Sequence, residues 1–249
     1  MEIKGLLIDL DGTLYVGGSP VEGAHEALAR LRDAGLLLRY VTNTTRMPRR
    51  AVHEHLLTLG FDMEETEIIT PARTVEALIR GQSCFPLVDK SLLEDLGDVV
   101  LTQDSPDFVL IGDIGEEFGY ANLNATFRHL MDGADLLALQ KNRYWRREDG
   151  LSLDAGPFVA ALEYASGKSA TIVGKPEQRF FELALREMGL KFHEAAMVGD
   201  DPEADVDGAR RAGLEGIQVR TGKYSPETES AEANLVIDCI ADLPEALRV

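Results

Sequence analysis

The sequence predicts an α/β protein built on an open parallel sheet and interrupted by a second, smaller α/β segment. Three observations carry this expectation: short apolar runs alternate with amphipathic helical stretches from the start of the chain, the rhythm changes near residue 70, and it resumes near residue 170. The run 3–8 is apolar apart from Lys4 and Gly5 and reads as a strand buried on both faces, and Gly12 permits a sharp exit from it. Residues 22–34 form a helix with Ala24, Ala27, Leu28 and Leu31 on one face, stopped by Gly35. A second strand fits 36–41. The following helix is opened by Pro48, closed by Gly60, and turns Val52, Leu56 and Leu59 inward, before a strand at 67–70.

From 71 to 168 the texture changes, with strands expected at 108–111 and 135–139 and a helix at 120–131. The alternation then returns: a strand at 170–173, a helix at 176–188 stopped by Gly189, a strand at 195–198, a helix at 204–212 stopped by Gly213, strands at 216–219 and 235–237, and a last helix. The expected division is a core made of 1–70 and 169–249, with 71–168 inserted as a second domain.

The net charge of −18 excludes a general affinity for nucleic acid, which depends on neutralising phosphates with Lys and Arg. No apolar run approaches the roughly 18 residues of a membrane span, so a soluble protein is expected. The first residues lack the basic region, apolar stretch and cleavage site of an export signal, so the cytoplasm is the expected location. Cys84 and Cys239 have no metal-binding spacing and read as free thiols, while His53 and His55, two apart on a helix, point to different faces.

Four strand-end motifs fall in one sheet: Asp9-Leu10-Asp11-Gly12-Thr13, Thr42-Asn43, Gly174-Lys175-Pro176, and Gly199-Asp200-Asp201 with Asp205. Each alone could be a turn or a helix cap. Together they place carboxylates from two strand ends at one crevice, where they repel one another unless a cation sits among them, and hard oxygen ligands suit Mg²⁺. Asp9, Asp200 and the main-chain carbonyl of Asp11 are the expected metal ligands. Asp9 is the expected nucleophile toward a phosphoryl group, Asp11 the acid and then the base, and Lys175 the cation that keeps Asp9 ionised. The Thr42 hydroxyl and the amides near Asn43 offer donors to phosphate oxygens, and Asp201 and Asp205 are expected to orient Asp200 or a metal-bound water.

In order and spacing these motifs resemble the four signature motifs of the haloacid dehalogenase superfamily. Asp11 resembles the acid of its phosphatase and phosphotransferase branches rather than its dehalogenases. The place of the insertion, between the Thr42 and Lys175 motifs, resembles the C2-capped, NagD-like group, which implies a Rossmann-like core with an α/β cap that closes over the active site. The segments at 41–45, 87–90, 154–158, 162–165, 173–176 and 221–224 are most similar to the branch containing the phospholysine phosphohistidine inorganic pyrophosphate phosphatases. That resemblance implies a Mg²⁺-dependent phosphatase of small phosphorylated metabolites, with pyrophosphate or phosphoramidates among the substrates, and a homodimer formed through the cap. A phosphotransferase or mutase, and a catalytically idle ligand-sensing or partner-binding member, are the alternatives. The basic and aromatic segment Lys141, Asn142, Arg143, Tyr144, Trp145, Arg146, Arg147 resembles the loop that reaches from cap to substrate, with Lys141, Arg143, Trp145 and Arg146 as the contacts; a solvated edge hairpin is the other reading. Gly112-Asp113 mimics the Gly-Asp metal motif inside the insertion and is expected to be a turn.

Overall fold

A computed structural model describes residues 3–147 and 150–249, with side chains described at all of these except 145–147. The chain runs through β1 (Gly5–Asp9), a small hairpin of β2 (Tyr15–Val16) and β3 (Ser19–Pro20), α1 (Ala24–Asp33), β4 (Leu37–Val41), α2 (Arg49–Thr58) and β5 (Ile68–Ile69). It continues with α3 (Pro71–Ile79), β6 (Ser83–Leu87), β7 (Val100–Leu101), β8 (Phe108–Ile111), α4 (Tyr120–Met131) and β9 (Asp135–Ala138). A hairpin of β10 (Tyr144–Arg147) and β11 (Gly150–Leu153), then α5 (Ala155–Ser166) and β12 (Thr171–Ile172), complete this stretch. The last part holds α6 (Gln178–Met188), β13 (Ala195–Gly199), α7 (Gly208–Ala212), β14 (Glu215–Val219), β15 (Leu235–Ile237) and α8 (Leu243–Leu247).

These elements form two compact units, one of residues 1–42, 49–69 and 175–249, the other of 43–48 and 70–174. In the first, six parallel strands lie in the order β15-β14-β13-β1-β4-β5. The order reverses between β1 and β13, the kind of switch point at which open α/β sheets bind ligands beyond their carboxyl ends. β1 and β13 are buried along their whole length, as central strands covered on both faces must be. Leu6, Ile8 and Tyr40 from the sheet pack with Leu28 and Leu31 of α1 and Val52 and Leu56 of α2. The helical spacing of those apolar residues is what lays the two helices on the sheet.

In the second unit five parallel strands lie in the order β12-β9-β8-β6-β7. Here the strand expected at 170–173 departs from expectation. Instead of resuming the first sheet, Thr171 and Ile172 pair with Leu137 and Ala138 of β9, so the second unit runs on to Gly174. An edge strand is half-buried and its apolar run is short, which leaves its sheet membership unreadable from pattern alone. The helix expected from Ala204 also differs. It opens at Pro202 with a π-helical turn, in which Val206 N–H reaches the carbonyl of Asp201, before α7 begins. Cys84 and Cys239 are free thiols, and burial pushes the Cys84 thiol up to about 12. No helix among the described residues is long and apolar enough to cross a membrane.

Leu6 is fully buried in the sheet-helix core, so Leu6→Ala is expected to cost about 2–5 kcal/mol, read as a lower urea midpoint. An unchanged midpoint would contradict that packing.

Candidate active site

The site is assembled by strand register. Asp9, the last residue of β1, pairs with Val41 of β4, and Ile8 pairs with Val198 of β13. Thr42 and Asp200 therefore leave the two flanking strands one residue beyond the level of Asp9. Strand alternation does not carry on to Asp11, because the chain turns at once: Leu14 N–H donates to the Leu10 carbonyl at 2.8 Å and Gly12 N–H to the Tyr15 carbonyl at 2.8 Å. Gly12 supplies the positive φ of 94° which that turn needs. Asp9 is left buried and Asp11 exposed, two environments for two carboxylates.

Lys175 is buried and its ammonium lies 2.5 Å from Asp9 Oδ1 and 2.6 Å from Asp205 Oδ1. Burial alone would lower this lysine, yet the charges of Asp205 and Asp9 outweigh it and hold it raised, so it stays charged. Burial raises the Asp9 carboxyl, with Lys175 opposing the rise and Asp200 adding to it. Burial likewise lifts Asp205 to about 7 and Asp200 to about 6. The other oxygen of Asp205 accepts the Asp201 N–H at 3.1 Å, so both its oxygens are engaged by protein donors. Asp201 caps the π-helical turn, accepting from Glu203 and Ala204 N–H, and accepts the Lys223 ammonium at 2.9 Å. Gly208 makes room for the residue after Lys175: a Cβ there would stand 2.5 Å from Pro176 Cβ.

Among the described residues, Asp9, Asp200 and Asp205 are the carboxylates whose oxygens gather within 4.8 Å of one another. Three buried carboxylates face one buried ammonium, and once all three are ionised the surplus of two negative charges is what a divalent cation cancels. The donors are all hard oxygens, which fit Mg²⁺. Asp205 is committed to Lys175 and Asp201, which leaves Asp9 and Asp200 as the side chains with lone pairs for a cation.

The other expected site residues are distributed unevenly. Thr42 follows β4 directly and its N–H donates to the Ile69 carbonyl. Asn43 belongs to the second unit, where its side chain lies against Gly174. Also in the second unit, Lys141 pairs with Glu163 of α5 at 2.6 Å and Arg143 is exposed, while the side chains of Trp145 and Arg146 lie outside the described residues. The segment 144–147 is one strand of a two-stranded hairpin. Asp113 does form a turn, accepting the Gly115 N–H, but it is buried and paired with Arg46 at 2.7 Å.

Sequence reasoning missed two contributors. Tyr15, whose carbonyl accepts the Gly12 N–H, has its phenol raised to about 12 by burial and by the charges of Asp11 and Asp9. The turn 221–223 after β14 touches Asp200 and Gly12 directly. Its signal was available, since Thr221-Gly222 follows another strand of the same sheet, β14, which ends at Val219.

An open parallel sheet with a buried carboxylate-lysine cluster at its switch point defines a hydrolase class that works from strand ends. The haloacid dehalogenase-like hydrolase family matches residues 6–100 and the HAD-hydrolase-like family matches 172–243. The chain is 48% identical over 229 residues to haloacid dehalogenase-like hydrolase domain-containing protein 2 of Rattus norvegicus, covering 91% of this chain and 88% of that protein. It is 39% identical over 256 residues to the phospholysine phosphohistidine inorganic pyrophosphate phosphatase of Danio rerio, covering 98% and 94%. NagD from E. coli K-12 shares the fold with a TM-score of 0.88 at 25% identity, covering 97% of this chain and 98% of that one. A glycerol phosphate phosphatase from Mycobacterium tuberculosis, solved in complex with magnesium, matches with a TM-score of 0.83 at 26% identity, over 97% of this chain and 76% of that one. The chain belongs to the haloacid dehalogenase-like hydrolase family, and its fold is that of the NagD-like members with an α/β cap.

The burial of Asp200, to which the charge of Asp205 adds, has a measurable cost in the metal-free protein. A carboxyl raised from 3.8 to about 6 opposes folding by about 3 kcal/mol once ionised; the penalty is complete above the folded value and fades as pH falls toward the unfolded one. Asp200→Asn keeps an acceptor for the Lys223 amide and removes the charge. With chelator present it is expected to stabilise the protein by about 2–3 kcal/mol near pH 8 and by about half as much near pH 5. A variant no more stable than the parent near pH 8 would contradict the assignment.

Proposed function

We propose that this protein is a Mg²⁺-dependent phosphatase of small phosphorylated metabolites that works through an aspartyl-phosphate on Asp9. The observation that carries it is the buried Lys175 ammonium shared between Asp9 and Asp205, whose charge favours the ionised form of Asp9 against the burial that raises it, at the switch point of the sheet. A carboxylate in that state is a nucleophile rather than a turn residue. The cation would be held by Asp9, Asp200 and the Asp11 carbonyl, and when bound it neutralises phosphoryl oxygens.

The chain's own residues account for the rest. An Asp9 oxygen attacks phosphorus as the bond from phosphorus to the leaving oxygen breaks, and the Asp11 carboxyl gives that oxygen its proton. Water then attacks the same phosphorus, yields a proton to the Asp11 carboxylate, and releases phosphate and the restored Asp9 carboxylate. Lys175 remains charged throughout and stabilises the charge that develops on the phosphoryl oxygens. The Thr42 hydroxyl and the amide of Asn43 donate to those oxygens, and Asp205 orients Lys175. Lys141, Arg143, Trp145 and Arg146 of the cap are assigned to the leaving group, where the positive charge of Arg143 and Arg146 attracts an anionic substrate into an otherwise acidic protein.

Support comes from the relatives' own descriptions, a phospholysine phosphohistidine inorganic pyrophosphate phosphatase and a glycerol phosphate phosphatase solved with magnesium. Pyrophosphate and phosphoramidates head the substrate panel for that reason. A cytoplasmic location and a homodimer through the cap belong to the same proposal, the latter read by light scattering.

Phosphate release in Mg²⁺ is expected to fall by at least about a thousandfold in Asp9→Asn and by about 10²–10⁴-fold in Asp11→Asn. Release that survives Asp9→Asn would remove Asp9 as the nucleophile. Transfer of phosphate to an added alcohol in preference to water would make the protein a phosphotransferase.

A further inference from the structure

We propose that the turn 221–223 is a positioning element for Asp200, fixing one oxygen of that carboxylate so that the other is presented to a divalent cation. This rests on the cation reading above and assigns residues to it that lie outside its four strand-end motifs.

Lys223 donates its main-chain N–H to Asp200 Oδ2 at 2.7 Å. Gly222, at φ +61°, lies so close that a Cβ would overlap both Asp200 Oδ2 and the Cα of Gly12. Gly12, at φ +94°, bears on the same carboxylate from the exit of β1, and a Cβ there would overlap it as well. Asp200 is thus walled by two glycines from separate loops. The Thr221 hydroxyl donates to the Gly12 carbonyl and ties those loops together. The Lys223 ammonium reaches Asp201 Oδ2 at 2.9 Å, so the same turn also grips the residue after Asp200.

Such a clamp has a chemical consequence. A carboxylate free to rotate presents either oxygen and loses rotamer freedom when it captures an ion, whereas one oxygen held by an amide leaves the other already aimed. Any side chain at 222 must displace either Asp200 or the exit loop that carries Asp11. Cation affinity should suffer first, with chemistry recovering when the ion is supplied in excess.

Mn²⁺ binding by electron paramagnetic resonance and Mg²⁺ binding by calorimetry on the full chain test this. Gly35→Ala serves as control, because Gly35 has φ +83° and nothing within 4 Å, so it brings the same left-handed strain without touching the site. Gly222→Ala is expected to weaken both ions by about tenfold or more, Thr221→Val by a few-fold, and Gly35→Ala not at all. Saturating Mg²⁺ should return most of the turnover in Thr221→Val, a recovery that general damage to the fold would not give. If Gly222→Ala and Thr221→Val bind both ions as tightly as the parent, the turn has no positioning role. If the parent itself binds neither ion, the cation reading falls and takes this assignment with it.

Discussion

One buried ammonium organises the first unit's chemistry. Lys175 arrives at Asp9 from 166 residues away and bonds it together with Asp205, so residues near both ends of the chain are fixed around a single positive charge. Desolvation drives each of these groups toward its neutral form; their mutual attraction holds Lys175 charged and opposes, without reversing, the rise of the Asp9 and Asp205 carboxyls. The cis peptide after Lys175, the bare Gly208 against Pro176, and the π-helical turn that carries Asp205 all lie next to this contact.

The glycines around the cluster show the same constraint from the packing side. Gly199 leaves no space for a Cβ because the Asp205 side chain fills it, and Gly12 and Gly222 leave none because Asp200 does. Carboxylates occupy positions where a well-packed protein would place methyl groups. Such an arrangement opposes stability and is retained where charge density is needed, as at a site built to hold a cation and an anionic phosphoryl group together.

Much of this was legible in the sequence because each motif follows an apolar strand, and strand ends in a parallel sheet converge on one edge. Asp9, Lys175, Asp200 and Asp205 could be gathered from that rule alone. The strand at 171–172 could not be placed, since two half-buried residues carry no periodicity that distinguishes one sheet from another. Asp11 was legible as a carboxylate near Asp9, but not as an exposed one, because the turn at Leu10 ends the alternation. The segment 221–224 stood out only as a family resemblance, and its contact with Asp200 was not legible because the donor there is a main-chain amide, which no residue type announces. The segment from Lys141 to Arg143 gave a charge signature only, and Lys141 spends its charge on Glu163.

The central claim is that Asp9, held ionised by Lys175, becomes covalently phosphorylated during turnover. Acid quenching of the enzyme during hydrolysis of a radiolabelled phosphate substrate, followed by peptide mapping, tests it directly. The label should be acid-stable, released by hydroxylamine as an acyl phosphate is, and confined to the peptide containing Asp9. Label on any other residue, or turnover with no labelled peptide under single-turnover conditions, would contradict the account.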